Sequence, residues 1–112
     1  MEARLKSGIW VQALIRRCDR AAIGVAVVAR GDSDAGAILL KLNAFREGCT
    51  VLAQTRRLDG TLVWMRATGA EPVVEADADA YIARQRGRDP DLWVIEIESG
   101  SPNALLDAPI LS

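Results

Sequence analysis

Val25-Ala26-Val27-Val28-Ala29-Arg30-Gly31-Asp32-Ser33-Asp34-Ala35-Gly36-Ala37-Ile38-Leu39-Leu40-Lys41-Leu42-Asn43 is the stretch on which the fold turns. Val25 to Arg30 is short, apolar and valine-rich, the composition of a buried strand. Gly31 to Gly36 is a strong turn signal, with glycine at both ends and two aspartates between. Ala37 to Asn43 then reads as a second strand. The three pieces together predict an antiparallel hairpin with a long loop.

Downstream, Arg46-Glu47-Gly48 marks another turn. Cys49 to Thr55 alternates, with Val51 and Ala53 on one side and Thr50 and Gln54 on the other, as a half-buried strand does. Asp59-Gly60 carries a hairpin-turn signature. Thr61 to Ala67 follows as a fourth strand, so the four strands are expected to form a meander. Glu75 to Arg86 has acidic residues in its first turns, arginines in its last and Ala78, Tyr81 and Ile82 as an inner stripe. That order suits the helix dipole, and Gly87 and Pro90 end it. Leu92 to Glu98 is the last strand expected, with one face buried and the other wet on its outer half.

Upstream, Val11, Leu14, Ile15, Cys18 and Ala22 fall at helical spacing and predict a helix from Ser7 to about Ala22. Ser7 is placed to cap it, and Gly24 to take the left-handed residue that closes it. The order helix, four strands, helix, strand predicts an α+β fold. The expected architecture is two layers, with about five antiparallel strands and both helices on one face. Residues 1–98 are read as a single domain. Residues 99–112, with Leu105, Leu106, Ile110 and Leu111, are read as a tail that is loose or docked.

Half of the 112 residues are hydrophobic and 26% are charged, with a net charge of −1, which excludes disordered and fibrous classes. No apolar run approaches the roughly 18–20 residues of a membrane span, and no signal-peptide pattern is read, so the expected compartment is the cytoplasm. Cys18 and Cys49 have no motif spacing and read as small core residues. Histidine is absent, which removes the commonest acid–base group and metal ligand, the usual zinc sets and the histidine-based nucleophile pairs. No cofactor fingerprint and no metal set are found. Residues 1–70 hold 11 Lys or Arg against 6 Asp or Glu, and residues 71–112 hold 3 against 9. The simplest consequence is that the two parts neutralise each other when folded.

Two segments resemble a known family. One is Arg30-Gly31-Asp32-Ser33-Asp34-Ala35-Gly36-Ala37-Ile38-Leu39-Leu40. The other is Tyr81-Ile82-Ala83-Arg84-Gln85-Arg86 followed by Asp89-Pro90-Asp91-Leu92-Trp93-Val94-Ile95-Glu96. With Ala13-Leu14-Ile15-Arg16-Arg17, they are similar to the small alphaproteobacterial proteins grouped as domain of unknown function 1491, over roughly Leu5 to Glu98. The resemblance implies a bacterial, cytoplasmic, single-domain protein. It brings no activity and no functional residues.

Four candidate sites are worth placing in three dimensions. Asp32 and Asp34 in the glycine loop would suit a metal or phosphate, but a phosphate cradle needs a following helix or a nearby lysine. Here a strand follows, and turn bonds from the aspartates are the simpler reading. Arg84, Arg86 and Arg88 would contact an anion or a nucleic-acid backbone, or else form a solvated helix end. Trp64 beside Arg66 would make a stacking platform for a base, or else Trp64 is a core anchor like Trp10 and Trp93. The pairs Asp77/Asp79 and Asp89/Asp91 offer acid–base chemistry, or simply capping. The favoured reading is a non-catalytic binding or accessory module acting through a protein partner or as a homodimer. The alternatives are nucleic-acid binding through Arg16, Arg17, Arg20, Arg56, Arg57 and Arg66, and a histidine-free enzyme built on Asp and Arg.

Overall fold

The computed structural model describes residues 5–102, 105–106 and 108–111. Two helices, α1 (Ser7–Arg20) and α2 (Glu75–Arg88), accompany six strands: β1 (Val25–Ala29), β2 (Ile38–Asn43), β3 (Cys49–Arg56), β4 (Leu62–Arg66), β5 (Trp93–Ile97) and β6 (Ile110–Leu111). The α+β class and most element boundaries match the expectation. The way the elements are joined does not.

The strands lie in one sheet in the order β1-β5-β2-β3-β4-β6. Only β2, β3 and β4 form a meander, in antiparallel register. The expected β1–β2 hairpin is absent, because β5 sits between the two strands. It pairs antiparallel with β1 and parallel with β2. The reason lies in composition. Trp93, Val94, Ile95 and Ile97 are all buried, so β5 needs neighbours on both edges and cover on both faces. β1 is largely exposed and belongs at an edge. The pairing of β4 with β6 is also parallel, so the sheet is mixed rather than antiparallel.

The helices occupy opposite faces rather than one. On one face Trp10, Val11, Leu14 and Cys18 of α1 pack against Ile38, Leu40 and Leu42 of β2, with Trp64, Trp93, Ile95 and Ile97 beside them. On the other face Ala78 and Ile82 of α2 pack against Leu39, Cys49, Val51 and Val94. All six residues of β2 are buried, which requires a layer on each side. The result is helix, sheet, helix.

Local details differ too. Ser7 does not cap α1; its hydroxyl donates to the Gly36 carbonyl at 2.6 Å. The left-handed residue closing α1 is Ala22, φ 57°, not Gly24, and the Ile23 N–H reaches back to the Cys18 carbonyl at 2.9 Å. Leu105 is buried against the α1 face, and Arg17 Nε donates to its carbonyl at 2.8 Å. The Trp64 N–H meets the Pro109 carbonyl at 2.9 Å, where β6 joins β4. Residues 103, 104, 107 and 112 of the expected tail lie outside the described residues.

Candidate functional site

The two segments that carry the family resemblance meet in space. The glycine loop straddles the start of β5: the Asp32 N–H donates to the Asp91 carbonyl at 2.9 Å, and the Trp93 N–H to the Ala37 carbonyl at 2.8 Å. The Trp93 indole N–H donates to the Asp32 carbonyl at 2.8 Å. A side chain at either Gly31 or Gly36 would run into the Asp91 carbonyl. Both glycines are therefore needed for close backbone approach, not for a ligand. The Asp32 carboxylate accepts the N–H groups of Ala35 at 2.8 Å and Asp34 at 3.2 Å, as an aspartate-closed turn does. Asp34 is exposed, 3.7 Å from the Lys6 ammonium. Asp89 closes a similar turn by accepting the Asp91 N–H at 3.0 Å.

The remaining sequence candidates are scattered. Trp64 is 1% exposed and packs on Trp10 with ring centroids 5.6 Å apart, so it offers no face to a base. The stacking platform is thereby corrected to a core anchor. Arg66 lies at the end of β4 on the α1 side. Arg84, Arg86 and Arg88 stand on the exposed side of α2, across the sheet, with the Arg84 guanidinium 6.0 Å from the Tyr81 ring. The fold does not bring these arginines together.

Two features were not singled out in the sequence. The first is Lys41, 5% exposed in the middle of β2. Its ammonium lies 2.7 Å from Glu75 and 2.8 Å from Asp79, both on α2, and 3.6 Å from Glu96 on β5. Asn43 Nδ2 bridges to Glu96 at 3.0 Å, while its Oδ1 accepts the Phe45 N–H at 2.9 Å. Burial works to lower the Lys41 pKa, but the hydrogen bonds the ammonium donates to Asp79 and Glu75 and the charge of Glu96 outweigh it and hold the ammonium above its ordinary range. This cluster staples α2 to the sheet. The only signal for it in the sequence is a lysine flanked by leucines, with carboxylates four residues apart at the start of a helix. Cys18 and Cys49 are free and buried, and burial raises both thiols, leaving them protonated and unreactive.

The second feature is a groove of about 270 Å³ between α1 and β1. Gly8, Ile9, Gln12 and Ile15 form its helix wall and Val27, Arg30 and Trp93 its sheet side. The Arg30 guanidinium rests 5.6 Å from the Trp93 ring centroid. Ile9 is 52% exposed, Val27 40% and Val28 52%. β1 is the end strand of the sheet, and among the described residues nothing pairs with its outer edge. The Glu98 N–H donates inward to the Gly24 carbonyl at 2.9 Å. By antiparallel alternation Ala26 also bonds inward, and the polar backbone of Val25 and Val27 points outward. A bulge between Val27 and Ala29 ends this regular stretch.

The family described as "Protein of unknown function (DUF1491)" matches residues 5–107. The chain belongs to this family. The match runs past Glu98, the expected limit, and takes in the segment around Leu105. A crystal structure of a DUF1491 family protein from Caulobacter crescentus superposes with a TM-score of 0.85 at 38% identity, covering 96% of this chain and 100% of that one. An NMR structure of a DUF1491 family protein from the same organism gives 0.84 at 38% identity, covering 99% and 100%. The solution structure of Atu0922 from A. tumefaciens gives 0.77 at 28% identity, covering 95% of each chain. No curated protein matches the chain. Within the DUF1491 segments that carried the resemblance, the glycine loop and the start of β5 form a structural junction. Among the described residues no helix is long and apolar enough to cross a membrane, and no group of three or more His, Cys, Asp or Glu is disposed to hold a metal ion.

Proposed function

We propose that this DUF1491 protein is a non-catalytic docking module whose partner adds a strand to β1 and seats side chains in the α1–β1 groove. One observation carries the reading. An end strand of sequence Val25-Ala26-Val27-Val28-Ala29 has outward-facing backbone groups, exposed valines, and no charge or proline to blunt it. Soluble domains usually protect such an edge, and strand addition beside a helix-walled groove is a recurrent way of recognising a protein segment. The apolar groove wall supplies pockets for alternate side chains of the added strand.

The reading is tested by placing a photo-crosslinking amino acid at Val28 and, as a control, at Arg86 on the far side of the sheet. The expected result is a discrete protein adduct from Val28 and none from Arg86, with the captured protein, once purified, binding the wild-type chain and not a Val27→Pro variant. Equal labelling from both positions, or none from Val28, would overturn it.

A further inference from the structure

We infer that the groove between α1 and β1 is a binding site for a small aliphatic carboxylate, held at its head by Arg30. Such a ligand needs nothing from the outer edge of β1, so the site stands apart from strand addition. The groove floor is apolar and closed, formed by Trp93 at 3% exposed and Val11 at 2%. Above it stand Ile9 and Val27, whose exposed apolar surface a bound chain would cover. The volume of about 270 Å³ is at the small end of ligand sites. The helix wall from Gly8 to Ile15 is about 10 Å long, which suits an aliphatic chain of about six to eight carbons.

Charge sets the head group. The charged residues lining the groove are Lys6, Arg30 and Asp34, two cations against one carboxylate. The Lys6 ammonium lies 3.7 Å from the Asp34 carboxylate, so these two offset each other. Asp32, on the same loop, turns its carboxylate to the N–H groups of Ala35 and Asp34. Arg30 is left without an ion-pair partner among the described residues. Its guanidinium is held 5.6 Å from the Trp93 ring centroid, and that ring is fixed in turn by its N–H bond to the Asp32 carbonyl at 2.8 Å. A guanidinium resting on a ring keeps its donor fork free for the two oxygens of a carboxylate. The Ser33 hydroxyl and the Gln12 amide line the groove as further donors. The groove therefore fits an anionic head and an apolar tail, and an ammonium head would meet Arg30 as a like charge.

The test is an NMR titration of the full chain with butyrate, hexanoate and octanoate, and with octylamine as the cationic control, following the Trp93 indole N–H. Octanoate should saturate with a dissociation constant of about 1 mM or lower. Affinity should rise by about twofold to fourfold per added methylene, as apolar burial predicts, and octylamine should not saturate. Arg30 is exposed, so its variants keep the fold. Arg30→Gln should weaken octanoate by about tenfold or more, Arg30→Lys by less, and Arg86→Gln on the far side of the sheet should change nothing. The proposal is overturned if octanoate fails to saturate by about 10 mM, well above the affinity expected. Octylamine binding as tightly as octanoate, affinity flat with chain length, or wild-type affinity in Arg30→Gln would each overturn it too. The Val28 crosslink bears on strand addition alone, so either reading can fail without the other.

Discussion

On the α1 face, Ile38, Leu40 and Leu42 of β2 meet Trp10, Val11 and Leu14, with Trp64 and Trp93 alongside. On the α2 face, the alternate residues of the same strand are Leu39, Lys41 and Asn43, and they meet Ala78, Ile82 and the carboxylates of Glu75 and Asp79. One side has an apolar interior, with hydrogen bonds such as Ser7 to Gly36 and Arg17 to Leu105 at its margins. The other has a smaller apolar patch beside a buried ammonium shared among three carboxylates. The difference teaches that a strand buried on both faces need not be apolar on both. A lysine is tolerated in a middle strand when a helix delivers its counter-charges.

The contrast is broken most strongly from the apolar side. Leu40→Ala removes a fully buried side chain between α1 and the sheet and should lower unfolding free energy by about 3–4 kcal/mol. Urea denaturation would measure this; a loss under about 1 kcal/mol would show that the α1 face can collapse around the gap.

Removing the ammonium is the next largest effect. Lys41→Met leaves Glu75, Asp79 and Glu96 crowded without a counter-charge, at a cost of about 2 kcal/mol, since the two helix carboxylates are half in water. The same group sets an alkaline limit. Its folded pKa lies above the ordinary value of 10.5, so its contribution is fully present below that pH and is lost as pH rises from there toward the raised value. The wild-type urea midpoint should therefore fall above about pH 10.5 more steeply than that of Lys41→Met; parallel profiles would remove Lys41 from the account.

Asp79→Asn is the mildest change. Glu75 and Glu96 still neutralise the ammonium, so the loss should be under about 1 kcal/mol and should shrink further in high salt. A larger loss would mean that Asp79 alone orients α2.

Much of the secondary structure was legible because each element carries its own local signal. The valine run of β1, the alternation of Cys49 to Thr55, the Asp59-Gly60 turn and the acidic-to-basic gradient of α2 all act within a few residues. The strand order was not legible, because the position of β5 depends on pairing between residues far apart in the chain. The clue was present in Trp93-Val94-Ile95, apolar on both faces, but a short apolar run does not say which strands flank it. The glycine loop was legible as a turn. That it spans a strand instead of closing a hairpin depends on the Asp91 carbonyl lying against Gly31 and Gly36. The Lys41 cluster was hidden for a similar reason: its partners come from α2 and β5, and a lone lysine in a strand looks like a solvent-facing residue. Trp64 and Arg66 were correctly placed on one side of β4, but the sequence does not show that Trp10 fills that side.

The insertion of β5 between β1 and β2 also orders the making of the protein. During synthesis β2, β3 and β4 emerge in sequence and can pair as neighbours, whereas β1 must wait for Trp93–Ile97 before it has any strand to join. At about 5–20 residues per second that delay lasts several seconds. Throughout it the newborn chain carries Val25-Ala26-Val27-Val28-Ala29 with both edges open, so this is the segment a chaperone would hold and the one at which crowded nascent chains would first tangle.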